Sequence, residues 1–255
     1  MDSNYFYHEN NIIGKINSNY KGKVGELKKF LEKYNKYKEE QLSIKGLNKK
    51  SIQRKIDLLE KYYKFVEKFI EKNGITSQSK LRPTILEEFC GLLFKDLSQI
   101  DSLKLGFFNR RIYAGIEINK DGKVTIKRKD VDFCIGKRIK ANFDDETFNI
   151  IIPIIAIECK TYLDNTMFSE AQFTAQKIKK GAPNVKVYVV SEENQVGLNQ
   201  IPSQTPVNQV FILRKNRTSE IDLETVWDFF EEIKYNLKDL KEGKITELPG
   251  RLLPG

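Results

Sequence analysis

A chain of 255 residues is long enough for one large domain, or a core with an appended lobe, without help from disulfides. Its formal charge of +9 suits a polyanionic partner, while a single histidine, His8, leaves no material for a Ser-His-Asp triad or a multi-histidine metal site. The three cysteines lack C-x-x-C spacing, which points to reduced thiols in a cytoplasmic protein, and neither a signal-peptide core nor an apolar run of membrane-spanning length is visible.

From about Val24 to Gly74 the apolar spacing predicts helices, carried first by Val24, Leu27, Phe30 and Leu31, then by Ile56, Leu59, Tyr63, Val66 and Ile70. Lysines crowd this part: Lys28, Lys29, Lys33, Lys36 and Lys38, then Lys49, Lys50 and Lys55 with Arg54. Such a run is ordinarily a solvated face, though as a set it suits a lobe lying along phosphates. A further helix starts at Pro83 and carries Ile85, Leu86, Phe89, Leu92 and Leu93 to about Leu97. Glu87 points away from that apolar arc and is expected in solvent; Glu88 flanks it and is expected near the sheet edge.

Strands follow at Ile112 to Ile118 and Val124 to Ile126, joined by a hairpin turn at Asp121-Gly122, then at Val131 to Ile135 and Ile150 to Lys160. Phe168 to Lys180 reads as a helix closed by Gly181, Val185 to Val190 and Val210 to Leu213 as strands, and Ile221 to Leu240 as a last helix. The order is α/β, with a crossover helix linking two parallel strands. It divides into a basic helical lobe over 1–80, a core over 81–215, and a C-terminal helix and tail over 216–255.

The apolar run Ile154-Ile155-Ala156-Ile157 ends in Glu158-Cys159-Lys160. Alternation puts Glu158 and Lys160 on one face, and burying two charges at a strand end is costly unless they pair, bind a metal or do chemistry. Phosphodiester cleavage needs neutralised phosphate charge and an activated water; two carboxylates holding a divalent cation, with a lysine beside them, supply both. The first carboxylate is Asp132 or Asp130. A tight hairpin centred near Phe143 favours Asp130, whereas Asp132 lies among Val131, Phe133 and Ile135, where an acid has less reason to be unless it is used. Glu88 is a fourth candidate. The loop from Thr161 to Thr166 suits phosphate contacts, and Arg110, Arg111, Arg214 and Arg217 have the chemistry for base edges.

The segment Glu158-Cys159-Lys160-Thr161-Tyr162-Leu163-Asp164 resembles the PD-(D/E)XK nucleases, and within them the Bpu-type branch of type II restriction endonucleases. Leu86-Glu87-Glu88-Phe89, Ile178-Lys179 and Tyr188-Val189-Val190-Ser191-Glu192 resemble that branch too, so the likeness runs from about Pro83 to Glu193. It implies a restriction-endonuclease-like core, a central mixed sheet flanked by helices, behind the N-terminal helical lobe. It also implies Mg2+-dependent, sequence-specific cleavage of double-stranded DNA, with Asp132 and Glu158 as metal ligands and Lys160 as the catalytic lysine. A homodimer or heterodimer and a companion DNA methyltransferase are expected with it. Lys129 or Val131 stands where the family pattern has proline before the first acid. The alternatives are a repair or recombination nuclease of the same fold, or a non-catalytic DNA-binding module.

Overall fold

The computed structural model describes residues 5–76, 79–143, 146–197 and 205–242. Helices α1 (Tyr7–Asn17), α2 (Val24–Ser43) and α3 (Lys49–Lys72) precede α4 (Pro83–Phe94) and the short α5 (Ser98–Ser102). Strands β1 (Gly106–Phe108), β2 (Ile112–Ile118), β3 (Val124–Lys129), β4 (Phe133–Phe143) and β5 (Glu146–Lys160) come next. The chain closes with α6 (Asn165–Gly181), β6 (Lys186–Ser191), β7 (Gln209–Ile212) and α7 (Leu223–Glu242). The expected tail beyond Glu242 lies outside the described residues.

The main sheet has the order β1-β4-β5-β6-β7. Its first two pairings are antiparallel, while β5/β6 and β6/β7 are parallel, with α6 as the crossover. The expected mixed sheet flanked by helices is present. The hairpin β2–β3 forms a small sheet of its own that packs on α6. There a Cβ on Gly181 would meet the Ala114 carbonyl carbon at 2.2 Å, so glycine is required for that approach.

Alternation along β5 divides the core in two. Ile155, Ile157 and Cys159 join the lobe, α4 and α7 in one apolar cluster, while Ala156 faces Ala171, Ala175 and Ile178 of α6 in another. Helix α4 is therefore buried nearly all round, between the lobe and the sheet. A helical wheel assumes one apolar face, but α4 has two neighbours, and the flanking Glu88 turns toward the lobe.

The helix α1 was not visible in the polar N-terminal sequence, since only Tyr7, His8 and Ile12 of it are buried. His8 lies in no solvated segment. Its Nδ1 is 2.9 Å from Thr84 Oγ1 and its Nε2 2.8 Å from the Tyr62 hydroxyl. Burial holds the imidazole down to about 3, well below its ordinary value. The unfolded chain takes up a proton near pH 6.5 and the folded chain resists it, so this contribution is full above pH 6.5 and is lost as pH falls toward 3. We expect wild type to lose about 1.4 kcal/mol per pH unit below pH 6.5 relative to His8→Gln, read as the difference between their urea unfolding curves.

Candidate active site

Register decides which acid meets Glu158. The β4–β5 hairpin closes with Phe143 opposite Glu146, and its pairs run evenly to Gly136 opposite Pro153. There the register shifts: Ile135 pairs with Ile155, leaving Ile154 as an extra residue on β5. The crowding is visible at Gly136, where a Cβ would sit 2.5 Å from the Ile152 carbonyl oxygen. Beyond the bulge Phe133 faces Ile157, so the next position outward sets Asp132 across from Glu158. Had Ile154 paired in an even ladder, the same count would bring Val131 there.

Asp132 Oδ2 accepts the Cys159 N–H at 2.8 Å, which ties the acid to the middle of the Glu-x-Lys segment. Lys160 Nζ stands 3.0 Å from Glu158 Oε2 and 3.7 Å from Asp132 Oδ2. Asp130 has other work: its Oδ1 accepts the Arg111 N–H at 2.8 Å. All four side chains line one pocket of about 570 Å³, with Glu87, Lys80 and Arg110 on one side and Glu170 and Phe173 of α6 on the other.

Glu88 is not in this pocket, which corrects the expectation from its place on the helix. Its Oε1 accepts the Tyr34 hydroxyl at 2.9 Å, and its Oε2 accepts the His8 N–H at 3.1 Å, both inside the lobe. Glu87, expected in solvent, lines the pocket instead. Burial, then the nearby Asp132 charge, pushes its carboxyl up to about 8 against Lys80, Arg110 and Lys160. No periodicity argument finds Glu87, because its environment is made by strands distant in sequence. Arg214, a candidate for base contacts, is buried and pairs with Glu60 at 3.1 Å and Glu192 at 3.5 Å.

The charges fit a cation. Burial and the adjacent Asp132 raise Glu158 above the ordinary carboxylate range, although Lys160 pulls it back. Burial would lower Lys160, but Asp132 and Glu158 together outweigh it and hold the ammonium charged. The contacts just described use one oxygen each of Asp132 and Glu158, leaving the second oxygens uncommitted to them. No group of three or more His, Cys, Asp or Glu side chains suited to a metal occurs among the described residues. Two carboxylates with water and phosphate completing the shell are a donor set that suits Mg2+.

The model of the Bpu10I restriction endonuclease family matches residues 78–239. The chain belongs to that family. Its fold is also that of a chain from the native BbvCI A2B2 tetramer, with a TM-score of 0.75 at 18% identity, covering 93% of this chain and 96% of that one. No curated protein matches the chain. The Bpu10I family model begins just before α4, so α1 to α3 lie outside the matched residues while the BbvCI likeness reaches across most of the chain. Among the described residues no helix is long and apolar enough to cross a membrane.

Proposed function

We propose that the chain is a type II restriction endonuclease that cleaves double-stranded DNA at a short sequence with Mg2+. The observation that carries this reading is the bulged register that sets Asp132 across from Glu158, with Lys160 3.0 Å from the Glu158 carboxylate. Asp132 and Glu158 would hold the cation, which when bound neutralises phosphate charge and acidifies water. Lys160, held as an ammonium, orients the attacking water and stabilises charge that develops on the phosphate oxygens. Glu87, on the wall of the same pocket, would take a proton from water or share the cation.

One such site cuts one strand, so two chains are needed to cut a duplex. A homodimer meets that need; the A2B2 make-up of BbvCI supports a pairing of unlike chains as a second form. A companion DNA methyltransferase belongs with either. Incubation of plasmid DNA with the chain and Mg2+ is the test. Breaks or nicks mapping to one short sequence are the expected result, and nicks restricted to one strand there identify the unlike-chain form. Random nicking assigns the chain to repair or recombination instead, and binding without cleavage, unchanged in Lys160→Ala, makes it a non-catalytic module.

A further inference from the structure

The catalytic pocket does not end at Arg110. A second groove of about 410 Å³ adjoins it, and the two share Lys80, Thr84, Glu87, Asn109 and Arg110 as a common wall. Beyond that wall the groove runs to Asn11 and Lys15 of α1, in a part of the chain outside the Bpu10I family match. Its charged lining is Lys15, Lys80 and Arg110 against Glu87 alone, a positive track leading from the Asp132, Glu158 and Lys160 cluster. Lys15 is held in place, with its Nζ 4.5 Å above the Tyr20 ring.

The shared wall is built at a cost. Lys80, Arg110 and Arg111 all have left-handed backbones, with φ of +56°, +58° and +52°. Residues with a Cβ seldom adopt that conformation, and a pair in succession is rarer. Two hydrogen bonds hold the turn: Arg110 N–H donates to the Val131 carbonyl at 3.0 Å, and Arg111 N–H donates to Asp130. Glycine would fit either position without strain, yet an exposed arginine stands at both, and Arg110 lies at the junction of the two cavities. Strain of this kind is kept where a side chain must point to one place.

We propose that this second groove is a binding site for the sugar-phosphate backbone of the strand being cut. Lys80 and Arg110 hold the phosphate next to the scissile one, and Lys15 with Asn11 of α1 holds the one beyond. The ligand is a polyphosphodiester strand and the contacts carry no base information, so they set the register of the strand against Lys160. The proposal rests on the nuclease reading and deepens it.

The experiment measures binding of the full chain to an uncut duplex of about 30 base pairs, with Ca2+ replacing Mg2+, over a range of KCl. Lys15→Ala and Arg110→Gly should each weaken binding several-fold and lower the slope of log affinity against log salt by about 0.9. Lys186→Ala removes the same charge at the far end of β6, about 17 Å along that strand, and should leave the slope as it was. Arg110→Gly also relieves the left-handed strain, so its thermal midpoint should not fall; a loss of binding there is then not a loss of fold. Wild-type slopes in both Lys15→Ala and Arg110→Gly, or an equal drop in Lys186→Ala, overturn the groove while cleavage by wild type keeps the nuclease reading. A chain that neither binds nor cleaves DNA overturns both.

Discussion

Lys160→Ala and Asp132→Asn are each expected to slow DNA cleavage by about a thousandfold or more, with Asp130→Asn staying within about tenfold. The contrast follows from the register. Asp132 contacts the Glu158 to Lys160 segment directly, through the Cys159 N–H and the Lys160 ammonium, while Asp130 serves the backbone of Arg111. Asp132→Asn keeps the shape and one acceptor but removes the charge that a cation needs. Lys160→Ala removes the only ammonium within 4.0 Å of both carboxylates among the described residues. Single-turnover rates at saturating Mg2+ measure the effect, and thermal melts in EDTA show whether the fold is kept. A Lys160→Ala chain that cuts at the wild-type rate would falsify the assignment of the site.

The second large effect concerns stability. Glu192, 2% exposed at its side chain, takes Arg82 in a two-pronged pair at 2.5 and 2.6 Å and meets Arg214 at 3.5 Å. The Arg82 guanidinium lies 3.4 Å over the Tyr63 ring, and Arg214 reaches Glu60, so the cluster joins the lobe helix α3 to the ends of β6 and β7. Removing Glu192 leaves the buried Arg214 and the half-buried Arg82 each short of a partner. Glu192→Ala should therefore lower unfolding free energy by about 3–5 kcal/mol. Glu67, 41% exposed and 3.5 Å from Arg82 Nε, is the control, and Glu67→Ala should cost less than about 1 kcal/mol. Urea unfolding measures both; equal losses would show that burial of the Glu192 pair does not matter.

Much of this was legible in the residues. The strand ending at Lys160, the crossover helix closed by Gly181 and the hairpin at Gly122 all have strong local signals, and local signals survive folding. The charged pair stood out because charge at the end of an apolar strand has few explanations. What the sequence hid depends on contacts between distant segments. Counting back from a tip centred near Phe143 pointed to Asp130, because the turn closes between Phe143 and Glu146 instead and Ile154 adds one unpaired residue; the apolar surroundings of Asp132 were the better guide. A wheel with one apolar arc cannot place Glu87 and Glu88 when α4 has the lobe on one side and the sheet on the other. Nothing local marks His8 as buried, because the tyrosine and threonine that enclose it, Tyr62 and Thr84, belong to other helices. Nor does anything local suggest that two arginines occupy left-handed positions beside the site.

The bulge at Ile154 has one more consequence, for how this chain tolerates change in length. It splits the long hairpin into two frames: an inner one that carries Asp132 and Glu158, and an outer arm from Gly136 to Pro153 whose pairing is set by its own turn. Taking a matched pair of residues from each side of the arm, such as Ala141 and Asn142 with Thr147 and Phe148, shortens it and leaves the inner frame alone. Taking Ile154 alone would remove the bulge and join the two frames into one even ladder, with Ile135 still opposite Ile155 and Asp132 still across from Glu158. The arm is thus a length that can vary in matched pairs independently of the chemistry.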